Sequence, residues 1–127
     1  MDQNRIRRYI EFAIRVANRA PLGQQFRMGC VIARGIDPIS FGFNNMKKTH
    51  PRSRRFDFPF IHAEIAALIG ISERDLWGSI AFVARVRKKT RTGLAKPCSG
   101  CEMELRRSGV KRVWFTTDTE DLELIEL

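Results

Sequence analysis

The chain is poor in the residues that mark secreted, disulfide-stabilised or membrane-embedded proteins. It has three cysteines among 127 residues, and this odd count excludes a fully paired disulfide framework and favours a reducing compartment. No apolar run approaches the ~18 residues that a membrane-spanning helix needs. The amino-terminal residues lack the apolar core of a secretory signal peptide. We therefore expect a cytoplasmic protein that makes no membrane contact.

Acidic side chains are also scarce relative to basic ones. The sequence has 23 lysines and arginines against 14 aspartates and glutamates, a net charge of +9. A surface of this charge attracts polyanions, although charge alone does not distinguish a nucleotide phosphate from a nucleic-acid strand. Hydrophobic residues make up 43% of the chain, which is ordinary for a globular protein. Length and composition predict a single domain, residues 1–127, with a core of its own.

Hydrophobic spacing predicts helices and strands that alternate along the chain. Apolar residues recur at helical spacing in some segments and as short β-rich runs in others, with turn residues between them. The order of these elements predicts a three-layer α/β/α sandwich around a mixed four- to five-stranded sheet. Residues 44–59 are predicted to be irregular, and Gly35 with Asp37-Pro38 marks a turn. The predicted helices cover 3–19, 61–71 and 98–108, and the predicted strands 28–33, 39–43, 79–86, 110–117 and 122–127.

Two short motifs carry the chemistry. His62 and Glu64 frame a His-Ala-Glu sequence, and Pro97 opens a Pro-Cys-Ser-Gly-Cys sequence that contains Cys98 and Cys101. Both motifs fall at predicted helix starts, where the helix dipole favours thiolate, and the two cysteines are one helical turn apart. One imidazole and two thiolates form a zinc-binding set that leaves a fourth position for water, as in catalytic zinc sites. Glu64 is then placed to transfer the protons of that water.

Other interpretations of the same residues remain open at this point. A structural zinc site would need a fourth ligand, and His50 is the remaining histidine. Its spacing from His62 is unlike the short His-to-His spacing of most structural sites. The two cysteines alone would also suit a redox pair. A basic nucleic-acid-binding module with a structural zinc is therefore one alternative to an enzyme.

The two motifs, in this order, resemble the signature of zinc-dependent nucleobase deaminases. The resemblance is to the cytidine deaminase superfamily, covers most of the chain and is greatest overall to short phage deaminases. It implies one zinc ion per chain, held by His62, Cys98 and Cys101 with a bound water, and Glu64 as the group that shuttles protons. The implied reaction is hydrolytic deamination of cytosine in a nucleoside or nucleotide, with release of ammonia. The alternative substrate is a base within single-stranded DNA or RNA.

The resemblance also implies substrate contacts and an assembly. Gly42-Phe43-Asn44 is similar to the family segment whose asparagine contacts sugar and base, so Asn44 is the expected substrate-binding residue and Asn45 a weaker candidate. The backbone amide of Ala63 is implied as a contact to the base. The predicted hairpin at the carboxyl end resembles the branch that acts on free nucleosides, whereas the long segment 44–59 departs from it. Relatives are commonly oligomers, so we expect a homo-oligomer.

Basic residues cluster before each motif and are expected near the pocket mouth. Lys48, Arg87, Lys89 and Lys96 are the candidate contacts to a phosphate or a nucleic-acid strand. Solvated faces are the ordinary alternative for such clusters. The full clusters are Lys47, Lys48, Arg52, Arg54 and Arg55 before the first motif, and Arg85, Arg87, Lys88, Lys89, Arg91 and Lys96 before the second.

Several other side chains have simpler expected roles. Phe56, Phe58 and Phe60 alternate, so they are candidates either for stacking on a base or for packing in a core or interface. Cys30 lies in an apolar run and is predicted to be a small buried hydrophobic residue. The two tryptophans, at 77 and 114, are predicted to be packing residues.

Overall fold

The protein, described here from a computed structural model, has one mixed five-stranded sheet. The structure describes residues 2–24, 26–54, 60–87 and 92–127. The strand order is β2-β1-β3-β4-β5, and every neighbouring pair is antiparallel except the parallel pair β3 and β4. The predicted mixed sheet is therefore confirmed. The strands are β1 (Arg27–Arg34), β2 (Asp37–Phe43), β3 (Ile80–Val86), β4 (Arg112–Thr116) and β5 (Leu122–Glu126).

Helices pack on both faces of this sheet, so the three-layer α/β/α prediction is also confirmed. Strand β1 is buried on both faces, because Val31 packs in the core cluster under α1 and Ile32 packs in the cluster under α3 and α5. None of the helices in the described ranges is long and apolar enough to cross a membrane. The helices are α1 (Gln3–Ala17), α2 (Pro51–Arg54), α3 (Ala63–Leu68), α4 (Glu73–Leu76) and α5 (Ser99–Arg107).

The amphipathic helix α1 covers one face of the sheet. Asp2 caps its first turn by accepting a hydrogen bond of 2.9 Å from the Arg5 N–H, which satisfies one of the free donors at a helix start. Tyr9 stacks on Phe82 of β3 with ring centroids 4.9 Å apart. The helix ends at Ala17, two residues before the predicted end. Its burial on one face accounts for the helical spacing of its apolar residues.

Strand direction brings the two motif-bearing helices to one edge of the sheet. Strands β2 and β3 run in the same direction, because each is antiparallel to β1 between them. Helix α3 follows β2 in the chain and α5 follows β3, so both helices begin near the carboxyl ends of these strands. A bridge between Asn45 and Ile61 returns the chain to this edge immediately before His62. The sheet edge is therefore where the motif residues meet.

Two glycines let helices lie directly on the sheet backbone. A Cβ atom on Gly29 would lie 2.4 Å from the Ala13 carbonyl oxygen of α1, and a Cβ on Gly42 would lie 2.5 Å from the Ala67 nitrogen of α3. Real Cβ atoms do not approach backbone so closely, so any side chain here must push its helix outward. Gly42 thus sets the distance between the sheet and the helix that carries Glu64.

Some local predictions were wrong. The hairpin turn consists of Gly35 and Ile36, and β2 already begins at Asp37. The segment predicted to be irregular contains α2, and α3 stops short of its predicted end before the separate helix α4. Ser72 starts α4 by accepting a hydrogen bond of 3.3 Å from the Asp75 N–H, which favours a new helix over continuation of α3.

The predictions for Cys30 and for the two tryptophans were partly confirmed. Cys30 is fully buried, as predicted. Trp114 packs against the core cluster under α1. Trp77 is 74% exposed, so the prediction that it is a packing residue is wrong. It follows α4 at the start of a turn, where its backbone and one edge of its ring lie beside Gly109.

We expect Gly42→Ala to lower the free energy of unfolding by about 1–3 kcal/mol, as forced overpacking does, and to weaken zinc binding by moving α3. Gly29→Ala is the matched control, since it should cost similar stability through α1, which carries no motif residue. Urea unfolding and chelator competition for zinc would measure the two effects. Equal zinc affinity in both variants would show that Gly42 does not position the site.

Candidate active site

His62, Cys98 and Cys101 converge at the shared edge. His62 directly precedes α3 and Cys98 directly precedes α5, each with extended backbone, while Cys101 lies in the first turn of α5. The Nδ1 atom of His62 is 3.8 Å from the Cys98 Sγ and 3.4 Å from the Cys101 Sγ. The ligand atoms of the three residues all lie within 4.8 Å of one another. Side chains far apart in sequence thus form one compact donor group.

The geometry of this group fits zinc. With Zn–S bonds near 2.3 Å and Zn–N bonds near 2.0 Å, a tetrahedral site holds nitrogen and sulfur about 3.5 Å apart. The two nitrogen–sulfur distances in the site, 3.4 and 3.8 Å, lie on either side of that separation. Among the described residues, no fourth His, Cys, Asp or Glu joins the group. Three protein ligands leave the fourth coordination position of a tetrahedral zinc ion open for a reactant.

His50 is occupied elsewhere. Its Nδ1 accepts a hydrogen bond of 3.2 Å from the Arg52 N–H, and its carbonyl oxygen accepts one of 2.9 Å from the Ser53 N–H. Both bonds start helix α2. His50 is therefore a helix-capping residue and does not belong to the donor group, which speaks against the structural four-ligand zinc site considered above.

A hydrogen bond between the two thiols separates their pKa values. The bond from Cys101 lowers the pKa of Cys98 to about 4, and a bond from His62 adds to this effect. The same bond raises the pKa of Cys101, and burial acts in the same direction. Cys98 is therefore a thiolate at neutral pH, the form that binds metal. Cys101 must release its proton when a metal binds.

Glu64 lies in the first turn of α3, beside the donor group. Its side chain is buried, with the residue 3% exposed. Burial raises the pKa of Glu64 from 4.5 to about 7, against the opposing effects of its own backbone N–H and of His62. A carboxyl group with a pKa near neutrality can both accept and release a proton during one reaction cycle.

A small cavity of about 120 Å³ opens onto the donor group and Glu64. Phe60 forms one wall and stacks on the His62 ring with centroids 5.1 Å apart. Phe26 and Met28, at the start of β1, form a second apolar wall and were not foreseen from the sequence. The predicted hairpin of β1 and β2 was the available signal, because it places the amino end of β1 beside the carboxyl end of β2. The complete lining of this catalytic cavity is Phe26, Met28, Asn44, Phe60, His62, Ala63, Glu64, Lys96 and Cys98.

Asn44 lines the catalytic cavity and is also a structural residue. It is 2% exposed, its Oδ1 accepts a hydrogen bond of 2.8 Å from the Met28 N–H, and its Nδ2 donates one of 3.1 Å to the Phe26 carbonyl. These bonds tie the end of β2 to the start of β1. One amide hydrogen of Asn44 is not used by these bonds.

Asn45 lies outside the catalytic cavity. Its N–H donates to the Ile61 carbonyl at 3.0 Å, and its side-chain oxygen accepts from the Lys47 N–H at 3.0 Å. Asn45 therefore holds the segment that leads to His62. Ala63, the other expected contact, is buried and lines the cavity at the first position of α3.

The four candidate phosphate contacts occupy different places. Lys96 lines the catalytic cavity. Lys48 is exposed, and its carbonyl accepts a hydrogen bond from the Ile61 N–H. Arg87 does not line this cavity and forms an exposed ion pair of 3.3 Å with Asp118. Lys89, together with Phe56 and Phe58, lies outside the described residues.

Arg52 does not face the pocket mouth as predicted. Its Nη2 atom lies 2.7 Å from the Glu104 Oε1 and 3.1 Å from the Ser108 Oγ, and its Nη1 donates to the Leu68 carbonyl at 3.4 Å. Helix α2 turns the side chain toward the carboxyl ends of α3 and α5. Arg52 thus joins the far ends of the two helices whose near ends carry the donor group.

Comparison with known proteins identifies the family. The profile described as the cytidine and deoxycytidylate deaminase zinc-binding region matches residues 3–117. The chain belongs to this family. Membership makes the protein a hydrolytic deaminase of the nucleoside and nucleotide class, and its cofactor is one zinc ion per chain, for which the three-residue donor group provides the site.

Solved deaminases share the fold at low sequence identity. Cytidine deaminase from Burkholderia pseudomallei has a TM-score of 0.67 and 18% identity, over 99% of this chain and 93% of its own. The dCMP deaminase of cyanophage S-TIM5 has a TM-score of 0.63 and 18% identity, over 92% and 86%. The same phage enzyme in complex with dCMP and dUMP gives 0.60 and 19%, over 91% and 82%. A search of curated protein sequences finds no significant match.

Removal of one sulfur donor should weaken zinc binding. We expect Cys101→Ser to lower zinc affinity by more than about 100-fold, because loss of a ligand should exceed the 10- to 100-fold cost of losing a supporting contact. Cys30→Ala is the control, since Cys30 lies in the core outside the donor group and this variant should keep one zinc per chain. Metal analysis and chelator competition would measure both. Unchanged affinity in Cys101→Ser would remove Cys101 from the ligand set.

Loss of the Arg52 contacts should destabilise the deaminase. We expect Arg52→Met to cost on the order of 3 kcal/mol of unfolding free energy, since Glu104 is almost fully buried and loses its guanidinium partner. Arg107→Met removes an exposed arginine from α5 and should cost less than about 0.5 kcal/mol. Urea unfolding of the zinc-loaded proteins would compare them. Equal stability of the two variants would contradict a joining role for Arg52.

Proposed function

We propose that this deaminase hydrolyses the exocyclic amine of cytosine in a nucleoside or nucleotide, yielding uracil and ammonia. One observation carries the proposal: a buried carboxyl group shares a cavity with a three-donor zinc group. Burial raises the pKa of this carboxyl group, which suits proton transfer near neutrality. The choice of cytosine follows the solved relatives, which are by name a cytidine deaminase and a dCMP deaminase. A homo-oligomeric state and a cytoplasmic location stay predictions.

His62, Cys98 and Cys101 are the residues proposed to hold zinc. When bound there, zinc supplies Lewis acidity, which lowers the pKa of water toward neutrality and favours its attack on carbon. The donor set suits this task because two thiolates and one imidazole bind zinc tightly without filling its coordination shell.

Glu64 is proposed to move the protons. Its carboxylate takes a proton from the attacking water and delivers it to the ring nitrogen next to the amine-bearing carbon. A second proton from the added hydroxyl passes through the same carboxyl group to the amine. The carbon–nitrogen bond then breaks, ammonia leaves, and the carbon keeps the oxygen as a carbonyl. A pKa near 7 suits both directions of transfer.

The remaining cavity residues are proposed to orient the base. The rings of Phe26 and Phe60 offer apolar walls for a flat heterocycle. Asn44 has one amide hydrogen left to donate, and the Ala63 N–H, at the first position of α3, has no partner within its helix. Asn45 is proposed to act indirectly, by holding Ile61 and hence His62 in position.

Glu64→Gln keeps the shape of the side chain and removes its ability to accept a proton. We expect this variant to keep one zinc per chain and to lose at least about 100-fold in rate, the usual contribution of a general acid–base group. Ammonia release, and a mass gain of one unit in the base, would measure turnover on cytidine and deoxycytidine monophosphate.

The matched control is Glu123→Gln, which changes an exposed glutamate of β5 outside the cavity and should leave the enzyme active. Substantial turnover by Glu64→Gln would remove Glu64 from the mechanism. Oligonucleotide binding without ammonia release by the wild-type protein would instead favour a nucleic-acid-binding module.

A further inference from the structure

A second and larger cavity adjoins the catalytic cavity. It has a volume of about 630 Å³ and shares the ring of Phe26 with its neighbour. Three of its nine lining residues are arginines and none is acidic, so it forms a basic groove. The residues that line this groove are Asn18, Leu22, Gly23, Gln24, Phe26, Arg27, Arg85, Val86 and Arg87.

The register of β1 and β3 places the basic groove beside the catalytic cavity. Arg85 of β3 lies directly opposite Met28 of β1 in an antiparallel pair, so both side chains leave the same face of the sheet. Met28 lines the catalytic cavity and Arg85 lines the groove. The two cavities are therefore neighbours at the edge where α3 and α5 begin, and the groove continues around this edge to Arg27 and Val86, on the face that α1 covers.

A row of packed rings separates the groove from the donor group. The Arg85 guanidinium lies 5.3 Å from the centroid of Phe26. Phe26 contacts Phe60 with centroids 6.3 Å apart, and Phe60 stacks on His62. A ligand whose base contacts Phe26 on the catalytic side therefore has its remaining atoms close to the groove.

The charge of the groove is largely uncompensated. Arg85 Nε is buried and has no hydrogen-bond partner among the residues that the structure describes. Arg27 donates to the carbonyl oxygens of Asn18 and Ala20, which are neutral acceptors. Arg87 alone has an acidic partner here, in an exposed pair that solvent weakens. Guanidinium groups in this setting favour phosphate, whose oxygens match their fork of donors.

We propose that the groove binds a phosphate group of the substrate while the base occupies the catalytic cavity. This inference rests on the proposed function and narrows it, because a nucleotide then binds better than a nucleoside. The phosphate can be the 5′-monophosphate of a free nucleotide or a phosphodiester of a single strand, since both present the same oxygens. Arg85 and Arg87 are the contacts, and Arg27 adds charge while holding the end of α1.

The test compares Arg85→Met, Arg87→Met and the control Arg8→Met, in which an exposed α1 arginine outside both cavities loses the same charge. Methionine keeps an unbranched side chain and removes the guanidinium, which in Arg85 lies over the Phe26 ring. For dCMP, kcat/KM should fall about tenfold or more in the two groove variants, as expected for loss of a charge-assisted hydrogen bond. For deoxycytidine, kcat/KM should change less than about twofold in the two groove variants. Arg8→Met should leave kcat/KM unchanged for both substrates.

A binding measurement separates this inference from the proposed function. Calorimetry on the zinc-loaded protein with dUMP and with deoxyuridine needs no turnover. Wild-type protein should bind dUMP at least about tenfold more tightly, and Arg85→Met should remove that preference. Such binding without deamination would sink the proposed function and leave the groove assignment standing. Deamination with no preference for the phosphate compounds, or equal effects of Arg85→Met and Arg8→Met, would overturn the groove assignment.

The salt dependence of binding shows whether the phosphate belongs to a free nucleotide or to a single strand. A ten-nucleotide oligodeoxycytidine that binds through several phosphates should lose affinity steeply with salt, with a log–log slope of about −0.7 for each contact. A slope near that of dCMP would assign the groove to the monophosphate. Zinc content and thermal unfolding of each variant would verify that the substitutions leave the fold intact.

Discussion

Two helices that begin at the same edge of a sheet are the constraint on which the site depends. Because β2 and β3 are both antiparallel to β1, their carboxyl ends coincide, and the helices that follow them start side by side. His62 and Cys98 are the residues just before those helices. The backbone topology alone thus places His62 and Cys98 close together. Met28, Asn44 and the groove arginines lie at the same edge. Strand direction therefore places the candidate substrate contacts beside the metal ligands.

Convergence also needs the correct spacing along the paired helices. Gly42 lets α3 lie on bare sheet backbone at Ala66 and Ala67, which limits how far Glu64 lies from the sheet. At the far end, Arg52 contacts Glu104, Ser108 and the Leu68 carbonyl. These contacts hold the helices in one relative position without help from the metal. The His62 nitrogen lies 3.4 and 3.8 Å from the two sulfurs, close to the nitrogen–sulfur separation in a zinc site, so binding needs little rearrangement of the imidazole.

Sequence reasoning succeeded where the signal is local. The one-turn spacing of Cys98 and Cys101, and the β-rich run at residues 79–86, are local patterns, and the structure contains the helix start and the strand that they predict. It failed where pairing is long-range. Arg52 read as one more residue of a basic cluster, because its partner Glu104 lies far along the chain. The basic cluster that contains Arg85 and Arg87 was predicted near the pocket mouth, but its place beside Met28 was not, because Met28 and Arg85 become neighbours only through the β1–β3 register.

Phe26 forms a common wall of the two cavities, and this has a thermodynamic consequence. A single ring can occupy only one position at a time, so a ligand that orders it from one side alters the surface offered on the other. Such linkage is reciprocal. If a group bound in one cavity raises affinity in the other by some factor, binding in the other cavity raises affinity in the first by the same factor. Because the two cavities share this ring, any displacement of it changes both of them at once.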